Sequence, residues 1–105
     1  MRQTFEHGKY AAPVSFDDVR AEWEREGFSF GVFRDPAGQE WNEFVHDVDE
    51  YVLVAEGTLS IDVGQETAEV APGDLVCIPR GVSHSLKTTS PTGSVWLYGY
   101  GTWSE

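Results

Sequence analysis

Residues 44–57 read Phe-Val-His-Asp-Val-Asp-Glu-Tyr-Val-Leu-Val-Ala-Glu-Gly. Within this stretch, Phe44, His46 and Glu50 are separated by two and four positions. Successive side chains of an extended strand point to opposite faces, so these three would project to the same side. The apolar residues after Glu50 continue a strand pattern as far as Gly57. The stretch therefore predicts a strand that presents one imidazole and one carboxylate to the interior of a β-structure.

A second segment supplies another histidine from a different strand. It contains Gly73, Pro79, Gly81 and His84. Proline fixes φ at the end of a strand, and glycine reaches backbone conformations that other residues resist, so a turn is expected just before His84. Two imidazoles and one carboxylate with open positions form the facial ligand set of non-haem iron sites, and similar sets bind Zn, Mn, Ni or Co. If His84 meets His46 and Glu50, these three side chains make such a set, and the sequence leaves the identity of the metal open.

Together the two segments resemble the motifs of the cupin family, G-x5-H-x-H-x3,4-E-x6-G and G-x5-P-x-G-x2-H-x3-N. Two positions depart from the pattern: Phe44 stands where the family has its first histidine, and Thr88 replaces the final asparagine. The resemblance implies an all-β fold, the cupin double-stranded β-helix or jelly-roll barrel. It also implies that the two histidines and the glutamate hold the metal. Because phenylalanine cannot coordinate, a three-ligand site is expected, with water or substrate at the remaining positions.

The 105 residues are enough for one domain. We predict an N-terminal arm and helix over 1–27 and the barrel over 28–105. Ser15 is a suitable N-cap for a helix over 16–26, and Gly27 is a natural stop. Short strand patterns punctuated by glycine and proline follow. They cover 28–33, 39–46, 50–56, 58–63, 66–71, 75–79, 84–89 and 94–100, with a turn at 35–38 after the first.

The segment 51–55 is apolar at every position, whereas an antiparallel strand with one solvated face should alternate. Its outer face must be covered by the edge of another sheet, by the N-terminal helix or by a second subunit. We favour the second subunit and hence a homodimer, which agrees with the resemblance to small cupins.

Aromatic residues are expected around the metal. Trp41, Phe44, Trp96 and Tyr98 are the predicted lining of a pocket at the barrel mouth, where a few polar groups among aromatic rings make a small-molecule site. The expected ligand is a small organic molecule with an apolar part and one oxygen that meets the metal. Glu43 would become a substitute ligand only if a bulge shifted the strand register.

The remaining residues near the motifs receive simpler interpretations. Asp49 is expected to be a solvated turn residue and Arg80 a surface residue, although Arg80 could clamp a carboxylate. Cys77, the single cysteine, excludes an intrachain disulfide and is expected in the core.

Charge narrows the range of partners. Eighteen acidic residues against seven basic ones give a net charge of −11. Such a field repels nucleic acid and anionic membranes, so neither is an expected partner. Without a long apolar segment for a signal peptide or a membrane span, we expect a cytoplasmic protein.

The primary functional hypothesis is a metal-dependent enzyme of small-molecule metabolism, of the oxygenase, isomerase or lyase type. One alternative is a non-catalytic cupin with a vestigial metal site, which binds a small molecule or has a regulatory role. Another is a purely structural dimer. No phosphate-binding glycine loop, G-x-S-x-G elbow or CxxC pair offers a competing chemistry.

Overall fold

Two antiparallel sheets and one helix make up the computed structural model, which describes residues 2–103. The helix α1 covers Phe16–Arg25. The strands in chain order are β1 (Phe5–Glu6), β2 (Gly31–Asp35), β3 (Glu40–Phe44), β4 (Asp49–Glu56), β5 (Leu59–Val63), β6 (Glu66–Val70), β7 (Leu75–Ile78), β8 (His84–Thr88) and β9 (Ser94–Gly101).

The five-stranded sheet has the order β1-β7-β4-β9-β2, and the four-stranded sheet has the order β3-β8-β5-β6. Successive strands frequently change sheet: β3 and β4 lie on opposite sheets, as do β6 and β7, β7 and β8, and β8 and β9. This alternation is the jelly-roll architecture. The predicted all-β jelly-roll fold is confirmed.

The interior between the sheets is filled by apolar side chains from both of them. Residues on alternate positions of β4 and β5 point inward, as the period of two requires. This inner core consists of Val52, Val54, Leu59, Ile61, Val63, Val70, Val76, Ile78, Leu86 and Trp96. Glu50 has the parity of Val52 and Val54, so it too points between the sheets.

Helix α1 packs on the outer face of the five-stranded sheet. Ser15 caps it by accepting a hydrogen bond from the Asp18 N–H, and its buried residues are Val19 and Trp23. The Trp23 ring stacks on Tyr51 of β4 with centroids 5.2 Å apart. A Cβ at Gly99 of β9 would meet the Trp23 ring, so glycine leaves the space that the indole fills.

The prediction that a second subunit covers residues 51–55 is therefore wrong. The outward side chains Tyr51 and Leu53 lie in a second buried cluster together with Val19, Trp23 and Phe28. The helix supplies the cover because Val19 and Trp23, four positions apart, lie on one helical face. The apolar strand thus gives no support to a homodimer.

The N-terminal arm is also tied to the barrel. Strand β1 pairs with β7 at the sheet edge. Asp74 accepts hydrogen bonds from the Gly8 and Ala71 N–H groups and lies 3.0 Å from the His7 ring. Across residues 2–103, no helix is long and apolar enough to cross a membrane.

Candidate metal centre

Three structural elements bring His46, Glu50 and His84 together. Glu50 is the second residue of β4, in the five-stranded sheet, and His84 opens β8, in the four-stranded sheet. His46 lies in the connection between β3 and β4. The parity argument treated Phe44, His46 and Glu50 as positions of one extended strand, and it does not apply here, because β3 ends at Phe44 and β4 belongs to the other sheet. The side chains converge because the two sheets face each other.

The donor atoms of the three residues form a tight group. One ligand atom from each lies within 4.8 Å of the others. Glu50 Oε1 is 3.4 Å from His84 Nε2 and 3.6 Å from His46 Nε2. Two donors that each lie about 2.1 Å from a shared ion are roughly 3.0–3.5 Å apart, so the two distances to Glu50 Oε1 are close to those of a shared divalent ion.

Glu50 gives an independent indication of a cation. It is 4% exposed, and its Oε1 is buried without a hydrogen-bond partner. Since the nearest donors, the two imidazoles, lie at 3.4 and 3.6 Å, the desolvation cost of this buried carboxylate oxygen is only partly offset. A metal ion between Glu50 and the two imidazoles would remove that cost, and the residues therefore fit such an ion.

A backbone carbonyl group fixes the orientation of the His84 ring. Its Nδ1 lies 3.2 Å from the Val82 carbonyl oxygen, which favours a proton on Nδ1 and leaves Nε2 facing Glu50. Burial opposes protonation of the ring, but the Glu50 carboxylate and the Val82 carbonyl outweigh it and raise the pKa of His84 above its usual value. Protons therefore compete with a metal for this imidazole.

The two sequence motifs also meet through the backbone. The Gly81 N–H donates to the His46 carbonyl oxygen at 2.8 Å, so the turn before His84 holds the connection that carries His46. Gly81 has φ of 78°, the left-handed region that glycine adopts without strain.

Asp49 anchors the start of β4 next to Glu50. Contrary to the sequence expectation, it is buried, at 3% exposure. It accepts hydrogen bonds from the N–H groups of Arg80 and Trp103 and from the Arg80 guanidinium at 3.0 Å. Burial alone would raise the pKa of Asp49, but these donors outweigh it and hold the pKa below its usual value. Arg80 therefore clamps a carboxylate of its own chain.

A β-bulge near the end of β3 sets the direction of its aromatic side chains. Trp41 pairs with Leu86, whereas Phe44 pairs with His84, so β3 has one extra residue. Glu43 takes φ of 57° there, and its N–H donates to Ser85 Oγ. The bulge turns Trp41 and Phe44 to the same side and leaves Glu43 exposed, outside the group of donor atoms found within residues 2–103.

A cavity of about 190 Å³ opens beside the three candidate ligands. Phe33 and Phe44 lie on its open side and are 39% and 40% exposed. The lining side chains are those of Phe33, Trp41, Phe44, His46, Glu50, His84, Leu86, Trp96 and Tyr100. The walls are thus mainly aromatic and the polar groups lie together at one place.

Three of the four predicted lining residues are in this set, and Tyr98 is not. The Tyr98 ring lies over Gly31 of the neighbouring strand β2, where a Cβ would collide with it. Tyr100 takes the expected place, because it pairs with Glu50 across β4 and β9. Burial and the nearby Glu50 charge raise the pKa of Tyr100 to about 12, so its hydroxyl keeps its proton at neutral pH and can donate a hydrogen bond.

Asp35 fixes two walls of the cavity. Its Oδ2 accepts hydrogen bonds from the indole N–H of Trp41 and of Trp96, both at 3.0 Å. Asp35 is the last residue of β2 and is buried. The sequence indicated a turn at this position, and the role of Asp35 was missed because one of its two partners, Trp96, is 61 positions away along the chain.

Comparison with known proteins gives a family match and a curated relative. The family model of the cupin domain matches residues 31–100. An uncharacterised protein of Streptomyces coelicolor is 39% identical over 58 residues, which cover 55% of this chain and 55% of that protein. The chain thus spans about half the length of the curated relative that it matches.

Solved structures share the fold at low sequence identity. The cupin domain of Schizosaccharomyces pombe Cnp3 has a TM-score of 0.68 and 22% identity, over 73% of this chain and 57% of that one. Salicylate 1,2-dioxygenase from Pseudaminobacter salicylatoxidans has a TM-score of 0.64 and 22% identity, over 70% of this chain and 20% of that one.

Proposed function

Because this chain belongs to the cupin family, we propose that it is a metal-dependent enzyme acting on a small organic molecule. Its metal would be one divalent ion held by His46, Glu50 and His84. The observation that carries the proposal is the buried Glu50 Oε1, which lacks a hydrogen-bond partner and faces both imidazoles. The adjoining aromatic cavity gives a substrate direct access to the same atoms.

The reaction classes that suit this site are those of an oxygenase, an isomerase or a lyase. A divalent ion would supply Lewis-acid polarisation of a substrate oxygen, or redox chemistry if the metal can change oxidation state. The fold shared with a salicylate dioxygenase is compatible with the oxygenase class. Three protein ligands leave coordination positions free, which a catalytic metal requires.

The protein's own groups would orient the substrate and exclude water. Phe44 occupies the position of the usual first histidine, and its ring lies nearly parallel to the His46 ring with centroids 6.3 Å apart. It adds apolar surface beside the candidate ligands instead of a fourth donor. Tyr100 lines the same cavity and contacts His46 edge-on at 5.2 Å, so its hydroxyl is a candidate donor to a substrate oxygen.

Metal content tests the proposal directly. We expect close to one metal ion per chain, measured by elemental mass spectrometry on untagged protein, and loss of that metal in His46→Ala and His84→Ala. His7→Ala is the matched control, because His7 is exposed in the N-terminal arm. If folded wild-type protein neither retains nor takes up Fe, Zn, Mn, Ni or Co, the metalloenzyme proposal is wrong.

Turnover separates an enzyme from a binding protein. The apolar lining that includes Phe44 would also suit capture of a small molecule without reaction, which is the alternative function. In an enzyme, His84→Ala should abolish turnover while circular dichroism shows an intact fold. A binding protein would keep its ligand affinity after chelation and in His46→Ala.

A further inference from the structure

We propose that the substrate is an uncharged molecule of single-ring size that meets the metal through one hydroxyl oxygen of an alcohol, phenol or enol. This inference rests on the proposed metal site and names the substrate class of that site. Three features carry it: the volume of the cavity, the character of its walls and the absence of cationic side chains from its lining.

The volume between the walls accommodates about one ring. The cavity measures about 190 Å³. A buried apolar cavity of about 150 Å³ is large enough to hold benzene. One six-membered ring with one or two small substituents therefore fills the space, while a fused two-ring system would have to project through the open side.

The walls are suited to the faces and edges of an apolar ring. Phe33 stacks on Trp96 with centroids 5.0 Å apart, and Trp41 contacts both Phe33 and Phe44. Because Asp35 holds Trp41 and Trp96 through their N–H groups, these walls are preorganised. Their N–H donors are occupied by Asp35, so they do not serve polar substituents on the ring.

Charge excludes a ligand with an anionic group remote from the metal. The chain has seven Lys and Arg residues, all within residues 2–103, and none of them lines the cavity. Arg80, which lies near the site in sequence, is paired with Asp49. A carboxylate or phosphate buried among these walls would lack a cationic partner. The protein's net charge of −11 would also repel it.

One negative charge at the metal end of the ligand balances the charge of the site. A divalent ion with the Glu50 carboxylate and two neutral imidazoles leaves one net positive charge. A hydroxyl that releases its proton to water on binding would neutralise it. One oxygen donor, neutral in solution and ionisable at the metal, satisfies this balance.

Binding of matched phenols tests the proposal. The probes are phenol, 2-naphthol, 4-hydroxybenzamide and 4-hydroxybenzoate, titrated against zinc-loaded protein and followed by calorimetry and tryptophan fluorescence. The amide and the carboxylate share a shape and differ in charge. We expect the amide to bind at least tenfold more tightly than the carboxylate, and phenol to bind more tightly than 2-naphthol. Phenol affinity should fall at least tenfold after the metal is removed.

A variant that adds a positive charge to the cavity sharpens the test. Phe44→Arg places a guanidinium at the cavity and should reverse the preference between 4-hydroxybenzamide and 4-hydroxybenzoate, with Val45→Arg on the exposed neighbouring position as control. Equal affinity for the two probes in the wild type would overturn the claim about charge.

The metal content of each sample separates this inference from the proposed function. If zinc is present at one ion per chain and none of the phenols binds, the substrate class is wrong and the metal site stands. If zinc does not bind, both fail, and phenol binding to the metal-free protein would show that the cavity takes rings without a metal.

Discussion

At the scale of single residues, Asp35 determines the shape of the cavity although it does not line it. One of its oxygens accepts two indole N–H groups, from Trp41 and Trp96. Asp35→Ala would leave both donors without a partner. We expect a loss of about 3 kcal/mol in the free energy of unfolding, since hydrogen bonds to charged groups contribute about 1.5–3 kcal/mol each. Urea unfolding followed by circular dichroism measures it.

A double-mutant cycle shows whether the indole contact accounts for the loss. Trp96→Phe removes the N–H and should cost less in the Asp35→Ala background than in the wild type, by about 1 kcal/mol or more. Asp47→Ala, at an exposed position, is the control and should change stability by less than about 0.5 kcal/mol. Equal costs of Trp96→Phe in both backgrounds would contradict the role of Asp35.

Single residues also mark the limit of prediction from sequence. The resemblance to the two cupin motifs predicted that His46, Glu50 and His84 would meet, because motif residues at fixed offsets from turns leave a local signal. The exchange of Tyr98 for Tyr100 left no such signal, since it depends on the space above Gly31 in another strand. The bulge at Glu43 was considered as a conditional case only, because a bulge depends on the partner strand β8.

At the scale of elements, α1 completes the outer face of the five-stranded sheet. Trp23 is 1% exposed and packs on Tyr51 and over Gly99. Trp23→Ala should lower the free energy of unfolding by about 3–5 kcal/mol, the range for removal of a large buried aromatic. Chemical denaturation measures the change.

An exposed position of the same helix provides the comparison for Trp23. Arg20 is exposed and pairs with Glu24 within the helix and with the face of Phe30. Arg20→Ala should therefore cost less than about 1 kcal/mol. If both variants lose the same stability, the helix does not protect the apolar strand face, and a second subunit would again be the better explanation for it.

The stability that comes from the contacts between Asp74 and the N-terminal arm should be lost at acid pH. Burial by itself would raise the pKa of Asp74, but its contact with His7 and the N–H groups of Ala71 and Gly8 outweigh it and lower the pKa. A carboxyl whose folded-state pKa is depressed contributes stability above its unfolded pKa of about 3.9. That contribution is lost as the pH falls through the lower, folded-state value.

Asp74→Asn should therefore remove part of the acid dependence. We expect the variant to be less stable than the wild type at pH 7, and the difference between them to shrink as the pH is lowered from about 5 to 2. Urea midpoints measured across this range provide the data, with Asp47→Asn as the control. A constant difference at all pH values would show that ionisation of Asp74 does not contribute.

The elements themselves were largely predictable. Ser15 and Gly27 bounded the helix correctly, and the strand segments correspond to the observed ones within a few residues, because capping and period-two patterns are local. The sequence could not show which element covers Tyr51 and Leu53. That choice depends on packing between residues about 30 positions apart in sequence, and it was decided in favour of the helix.

At the scale of the whole molecule, the candidate ligands join the two sheets. Glu50 belongs to one sheet and His84 to the other. An ion that binds only the folded protein should stabilise the entire barrel, by about 2.7 kcal/mol at a free metal concentration 100 times the Kd. For the wild type, and likewise for His7→Ala, the urea midpoint measured in zinc should be higher than the midpoint measured in chelator. His84→Ala should show no difference, and an equal shift in that variant would place the metal elsewhere.

The apolar surface at the open side of the cavity has a thermodynamic consequence. Phe33 and Phe44, each about 40% exposed, are hydrated until a ligand arrives. A ring that enters between them releases ordered water from both surfaces, and this release carries a negative change in heat capacity. The enthalpy of binding should therefore become more favourable on warming, with compensation from the entropy, so that the affinity changes little over the physiological range of temperature.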